Sequence, residues 1–174
     1  DVFSTVYSDD EEGGRFAALA MKGRGRKDIV AVLGPQDNPA VVDRLRGYRA
    51  VLGEDLPDAN VIYTGWNSGD GYQAMHLILA RKIAFDGVLC GSDRIAAGVI
   101  TALNEAGLSV PADVSVVGFD DHEIATRCVP ALTTVRQPLR EEGHMAANIA
   151  LDMIKGAEPT TSVMHMQLIQ RDSL

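Results

Sequence analysis

The feature that most constrains this chain is an alternation between short apolar runs rich in β-branched residues and longer segments with helical periodicity. Such alternation predicts βα units and a parallel sheet. Strands are predicted at residues 2–7, 29–33, 60–64, 87–90, 114–119 and 133–136, with a late strand within 164–169. The middle runs are continuously apolar, as is typical of strands covered on both faces. We therefore predict an α/β fold with a parallel sheet in a three-layer αβα arrangement.

Two helices are marked by the residues at their ends. Asn38 and Pro39 fit an N-cap and the first helical position, and the apolar periodicity that follows ends at Gly53. Asp93 is predicted to cap a second helix, which ends at Gly107. Further helices are expected near 11–21, 69–81 and 139–154.

Composition restricts the classes of function. The chain has 16 Lys and Arg against 24 Asp and Glu, a net charge of −8 at pH 7. Nucleic-acid binding relies on clustered Lys and Arg, so this segment is not expected to contact DNA itself. No apolar run is long enough to predict a membrane span.

Cys90 and Cys128 lack metal-ligand spacing, which favours a reducing, cytoplasmic compartment. Because the chain starts at Asp1, we expect it to be a fragment of a longer protein.

No local motif supports catalysis. The sequence has no phosphate loop, no nucleophile elbow and no HExxH zinc motif, and its four histidines are scattered. We therefore predict no catalytic residue, no metal site and no cofactor, and we do not expect an enzyme.

Polar side chains follow the predicted strands at their carboxyl ends, where open parallel sheets bind ligands. The residues expected to converge there are Gln36, Asp37, Arg44, Trp66, Asn67, Ser92, Asp93, Asp120, Asp121 and Gln137. Arg and Asp form charge-assisted hydrogen bonds with hydroxyl groups, and an indole can cover the apolar face of a sugar ring. This set predicts a polyhydroxylated or similarly polar small molecule as ligand.

Two longer motifs go beyond the general α/β pattern, VPADVSVVGFDD at 110–121 and PALTTVRQP at 130–138. They are accompanied by DEEGG at 10–14, RLRGY at 44–48 and SDRIAAG at 92–98. In order and spacing, these motifs resemble the effector-binding core of LacI/GalR-family transcriptional regulators, and the resemblance extends over essentially the whole chain.

The resemblance implies a type I periplasmic-binding-protein-like fold of two lobes, with most of the first lobe missing. Residues 10–136 and 161–174 would form the C-terminal lobe, and residues 1–9 and 137–160 would belong to the N-terminal lobe. It also implies a sugar-like or nucleoside-like effector between the lobes. Operator DNA would be contacted only through an N-terminal headpiece absent here. A homodimer is implied, paired through the helix after Asp93, where the small residues of 96–99 would admit a second chain, and through the segment 69–73.

The resemblance assigns effector contacts to Arg44, Trp66, Ser92, Asp120 and Gln137. Ser92 departs from the family, in which Asn is common at that place. Structural alternatives stay open for the other positions. Arg44 could pair with Asp37 or Asp43 on a solvated helix end, Asp120 could cap the turn that follows it, and Trp66 could belong to the core.

Two other functions compete with a regulatory core. One is a periplasmic sugar-binding protein of the same fold. The other is an Mg²⁺-dependent phosphoacceptor or enzyme domain, since the acid pairs Asp9-Asp10 and Asp120-Asp121 follow strands and carboxylates bind Mg²⁺. A receiver-type site would also need a Lys after a late strand, where this chain has Arg136.

Overall fold

The computed structural model describes residues 3–174, and its strands form two sheets of unequal size. The strands are β1 (Thr5–Ser8), β2 (Ile29–Leu33), β3 (Val61–Tyr63), β4 (Gly87–Cys90), β5 (Ser115–Asp120), β6 (Thr133–Arg136), β7 (Thr161–Met164) and β8 (Gln167–Ile169). The helices are α1 (Asp10–Gly23), α2 (Pro39–Leu52), α3 (Ser68–Ala80), α4 (Asp93–Glu105), α5 (Ile124–Arg127) and α6 (Leu139–Ile154). Asp1 and Val2, at the start of the predicted first strand, lie outside the described residues.

The large sheet has the strand order β3-β2-β4-β5-β6-β8, and only the β6–β8 pairing is antiparallel. Every residue of β2 and β4 is buried, because α1 and α2 cover one face of the sheet and α3 and α4 cover the other. Two apolar cores result, one on each face. The predicted α/β fold with a three-layer, mostly parallel sheet is therefore confirmed. No helix within residues 3–174 is long and apolar enough to cross a membrane.

The six-stranded sheet and helices α1 to α5 form the large body, and the small body consists of β1, β7 and α6. β1 and β7 pair in parallel, with Thr5 opposite Thr161 and Ser8 opposite Met164. The sequence predicted that the chain returns to the C-terminal lobe near residue 161. In the structure the return comes later, because residues 161–164 pair with β1 and only the residues after them join the large sheet. In place of the single late strand expected within 164–169, the structure has β7, which ends at Met164 in the small sheet, and β8, which lies in the large sheet.

The capping residue of α4 differs from the prediction. Asn38 caps α2 as expected, accepting a hydrogen bond from the Ala40 N–H at 3.0 Å. In α4, however, the N-cap is Ser92, whose hydroxyl accepts the Ile95 N–H at 3.2 Å. Asp93 is the first helical residue, and its carboxylate bonds to distant parts of the chain.

Helices α3 and α4 pack closely through glycine. A Cβ at Gly98 would overlap the Ser68 carbonyl oxygen, and a Cβ at Gly71 would overlap the Ile95 carbonyl oxygen. The small residues of 96–99 thus serve packing within this chain, and of these four only Ala97 reaches the surface. They give no support to the expectation that this stretch admits a second chain.

Candidate ligand-binding site

Arg44 forms the base of the site at the carboxyl edge of the large sheet. Its side chain is only 5% exposed. The Nε atom donates to Asp10 Oδ1 at 2.7 Å, and Nη1 donates to the Gly91 carbonyl oxygen. The guanidinium carbon lies 3.8 Å from the centroid of the Phe119 ring. Arg44 is therefore a buried, fixed cation, and the alternative pairing with Asp37 or Asp43 on a solvated helix end is wrong.

Asp120 ends β5 beside this guanidinium. Its Oδ1 lies 3.7 Å from Arg44 Nη1 and accepts a hydrogen bond from Gln137 Nε2 at 2.6 Å. Burial raises the pKa of Asp120, although Arg44 and Gln137 favour the ionised form. Burial likewise raises the pKa of Asp10. Two partly desolvated carboxylates thus flank one cation, and about a third of the Asp120 side chain remains exposed to receive a ligand.

Gln137 lies on the segment that leaves the large sheet for the small body, between β6 and α6. Its hydrogen bond to Asp120 connects the segment between β6 and α6 to the site. A cleft of about 420 Å³ opens beside these two residues. Arg140, at the start of α6, and His165, before β8, line the same cleft. Both bodies therefore contribute to the space next to Asp120.

Trp66 lies in the loop between β3 and α3 and is partly buried. It packs against the apolar cores on both faces of the sheet. Its six-membered ring lies against Gly34, just after β2, so closely that a Cβ at Gly34 would overlap the ring. The indole is therefore anchored in the core and also borders the carboxyl edge, and its stacking on an effector stays a prediction.

Ser92 lies directly after β4, next to the Gly91 carbonyl that binds Arg44. It is buried, and its hydroxyl caps α4. The structure therefore brings Arg44 and Gln137 into contact with Asp120 and places Trp66 and Ser92 after β3 and β4, at the same edge of the sheet. Contact of these five residues with an effector stays a prediction.

Sequence reasoning missed one residue in this region and the bonding partners of another. The first is Asp10, which holds Arg44 and belongs to the DEEGG motif that carried the family resemblance. Asp93 was expected at this edge as a helix cap, but its actual partners were not; it is fully buried. Its Oδ2 accepts the His122 N–H at 2.7 Å, and its Oδ1 accepts the Thr134 hydroxyl at 2.5 Å. Burial raises the pKa of Asp93 to about 7 despite these two bonds.

Within each acid pair of the phosphoacceptor alternative the two carboxylates bind different partners, and only Asp10 and Asp120 lie beside Arg44. Asp121 binds Arg171 at 2.6 Å and Arg136 at 2.7 Å, turned away from the partners of Asp120. Burial acts to raise the pKa of Asp121, but the bonds from Arg171 and Arg136 outweigh it and leave that pKa low. Asp9 caps α1 by accepting the Glu12 N–H, whereas Asp10 binds Arg44. Among residues 3–174, no three His, Cys, Asp or Glu side chains are grouped to hold a metal ion.

Comparison with known proteins gives a consistent picture. Residues 18–174 match the periplasmic binding protein-like domain family. The HTH-type transcriptional repressor PurR of Escherichia fergusonii is 36% identical over 179 residues, covering 100% of this chain and 52% of that protein. The structure of a transcriptional regulator CelR-cellobiose complex superposes with a TM-score of 0.93 at 34% identity, covering 99% of this chain and 54% of that one.

A second solved structure, of a LacI family transcriptional regulator from Enterococcus faecalis V583 with bound ribose, has a TM-score of 0.91 at 30% identity. It covers 99% of this chain and 64% of that one. The chain therefore spans about half the length of the curated relatives that it matches.

Proposed function

This chain belongs to the periplasmic binding protein-like family, in the form found in LacI-family regulators, and we propose that it binds a small effector that controls operator binding. The effector is sugar-like or nucleoside-like. The operator is contacted by a headpiece outside these residues, since the chain itself carries a net charge of −8. The protein acts in the cytoplasm, as an operator-binding regulator does.

The observation that carries this proposal is the buried Arg44 with its flanking carboxylates. Arg44 offers N–H donors, and Asp120 offers acceptor oxygens that are partly exposed at the mouth of a cleft. Hydrogen bonds that involve a charged group are about twice as strong as neutral ones, and a desolvated site strengthens them further. A ligand with neighbouring hydroxyl groups can satisfy both partners at once. The cellobiose and ribose bound to two similar proteins support a sugar-like ligand.

The small body supports an effector enclosed between two lobes. A two-stranded sheet is not independently stable in water. On α6, an exposed stripe recurs at helical spacing and consists of Ala147, Ala150, Leu151 and Ile154. An apolar helix stripe of this kind packs against a core in a complete domain. We infer that residues 3–9 and 137–164 belong to an N-terminal lobe whose remainder lies outside this chain.

The competing functions have less support. The matched relatives are named as transcriptional regulators, which favours neither a solute-binding protein nor an enzyme. Asp10 and Asp120 both lie beside the Arg44 cation, while Asp9 caps α1 and Asp121 binds Arg136 and Arg171, so neither acid pair acts as a unit. A homodimer through the exposed faces of α3 and α4 remains part of the proposal, on the family resemblance alone.

A thermal-shift screen of the complete protein tests the function. The panel contains cellobiose, D-ribose and adenosine, with glycerol as a negative control. A ligand that binds the native state raises stability by RT ln(1 + [L]/Kd), so a true effector raises the melting temperature in a concentration-dependent way. At the same ligand concentration the shift is expected to be much smaller in Arg44→Ala and to persist in Arg46→Ala, whose side chain is exposed. Failure of every sugar and nucleoside to shift the transition would refute the proposed ligand class.

A further inference from the structure

The turn after β5 has an unusual backbone. Asp120 has φ 106° and Asp121 has φ 54°, so two consecutive non-glycine residues have positive φ. Side chains disfavour this region, and such conformations persist only where the surrounding structure fixes them. Something must therefore hold the turn formed by residues 120–122.

The carboxylate of Asp93 provides that restraint. Its Oδ2 accepts the backbone N–H of His122 at 2.7 Å. Its Oδ1 accepts the hydroxyl of Thr134 at 2.5 Å, and the same Thr134 oxygen accepts the backbone N–H of Asp121 at 3.3 Å. The two N–H groups that follow Asp120 therefore both depend on one carboxylate, one directly and one through Thr134.

The surrounding sequence leaves room for this carboxylate. Asp93 is fully buried at the first position of α4, where the helix N-terminus favours a negative charge. Gly118 in β5 passes directly beside it, and a Cβ at that position would overlap Asp93 Oδ1. The glycine in the VVGFDD stretch is thus required by close approach of the carboxylate, although its own φ is not positive.

The conformation of the turn determines where Asp120 lies. Its carboxylate is 2.6 Å from Gln137 Nε2 and 3.7 Å from Arg44 Nη1, and a change in the backbone of 120–122 would move it relative to both. We propose that Asp93 is a positioning residue of the effector site, which fixes the 120–122 turn through His122 and Thr134 and so directs Asp120 toward Arg44. This inference rests on the proposed function, because that function assigns Asp120 to the effector.

Asp93→Asn in the complete protein is the first test. The amide of asparagine has one acceptor oxygen for two donors, so one of the two restraints is lost. Affinity for whichever of cellobiose, D-ribose or adenosine binds the wild type should fall about tenfold or more, the range for a hydrogen bond to a charged group. Carboxyl-carbon NMR should show the pKa of Asp120 moving down toward its ordinary value, both because the Asp93 charge is gone and because a loosened turn exposes that carboxylate to water; the Thr134 variants below keep that charge and isolate the second cause.

The matched control is Asp113→Asn. The Asp113 carboxylate also holds a turn, by accepting the Ser109 N–H at 2.8 Å, but it precedes β5 and so lies at the opposite edge of the sheet. This control should leave both the ligand affinity and the titration of Asp120 unchanged. The control therefore shows whether the effect of Asp93→Asn is specific to the turn beside Asp120 or follows the loss of a carboxylate from any turn.

A second pair of variants keeps the proposal testable if Asp93→Asn fails to fold. Thr134→Val removes the relaying hydroxyl and should weaken affinity and shift the Asp120 titration in the same direction. Thr134→Ser retains the hydroxyl and should behave as wild type. Wild-type affinity and wild-type titration in the folded variants would overturn the proposal. If no ligand binds even the wild type, the proposed function fails, whereas the Asp120 titration still decides whether Asp93 positions that residue.

Discussion

The two bodies of this molecule are built from similar local patterns but differ in what they bury. In the large body, α4 buries eight of its residues between the sheet and α3. In the small body, α6 is three residues longer and buries none. Both helices carry apolar residues at helical spacing. The comparison shows that periodicity predicts a helix, while burial depends on whether the partner surface is present in the same chain.

Two glycines within these helices offer the largest contrast. A Cβ at Gly98 in α4 would overlap the backbone of α3, whereas a Cβ at Gly143 in α6 would meet no atom within 4 Å. We expect Gly98→Ala to destabilise the protein by about 3 kcal/mol or more, since backbone atoms must move. Gly143→Ala should be stabilising by about 0.5–1 kcal/mol, because alanine is the better helix former. Urea denaturation measures the change in the free energy of unfolding for both variants. Equal changes would contradict the conclusion that α4 is closely packed and α6 is not.

The next effect concerns the ligand site, which lies where the bodies meet. Arg44→Ala and Asp120→Ala should each weaken effector binding by about 1.5–3 kcal/mol while the fold survives. Arg46→Ala is the matched control, because that arginine is on the same helix but exposed, with partners Asp43 and Glu11. Arg46→Ala should leave effector binding in place and lower the free energy of unfolding by less than about 1 kcal/mol, as is typical of exposed ion pairs. Wild-type affinity of both site variants in calorimetry would exclude Arg44 and Asp120 as effector contacts.

The large body also contains a buried titrating group. Burial raises the pKa of Asp93 to about 7, compared with an ordinary value of 3.8 for aspartate. Between these pH values the folded state holds a proton that the unfolded state releases, so the contribution of Asp93 to stability falls as pH rises through 7. The ionisable groups that interact with it are Asp120, Asp121, Cys90 and Cys128.

The measurement is the free energy of unfolding at pH 5 and pH 8 for the wild type and Asp93→Asn. The wild type should lose about 2 kcal/mol more than the variant over this interval, because only the wild type must bury a carboxylate charge at the higher pH. An identical pH dependence in the two proteins would show that Asp93 is already ionised in the fold at pH 5.

Much of the large body could be predicted from sequence for a physical reason. Strands at 29–33 and 87–90 are apolar runs, and 133–136 is rich in β-branched residues; the observed bounds of all three match the prediction. The convergence of Arg44 and Asp120 follows from the rule that parallel strands end at one edge. Local pattern could not reveal the partners of Asp93, because its carboxylate bonds to residues 29 and 41 positions away.

The same limit explains the error in the small body. The stretch 161–169 has no turn signal strong enough to show that it changes sheets. The change is fixed by Glu12, whose carboxylate accepts the Met166 N–H at 2.9 Å and lies 3.1 Å from the His165 ring. Because Glu12 is on α1, this restraint depends on tertiary structure. The pairing of β7 with β1 could therefore not be predicted from the local sequence.

The smallest effect is expected at two matched surface leucines. Leu19 on α1 is 54% exposed and Leu151 on α6 is 55% exposed. In this chain, each substitution to alanine should change the free energy of unfolding by less than about 0.5 kcal/mol, as at other surface positions. In the complete protein, Leu151→Ala should cost about 1–2 kcal/mol, because the proposed remainder of the N-terminal lobe covers the α6 stripe. Leu19→Ala should stay below about 0.5 kcal/mol there, since α1 already has its partners within this chain. Equal small effects at both leucines in the complete protein would mean that the α6 stripe stays exposed, and the two-lobe proposal would lose its structural support.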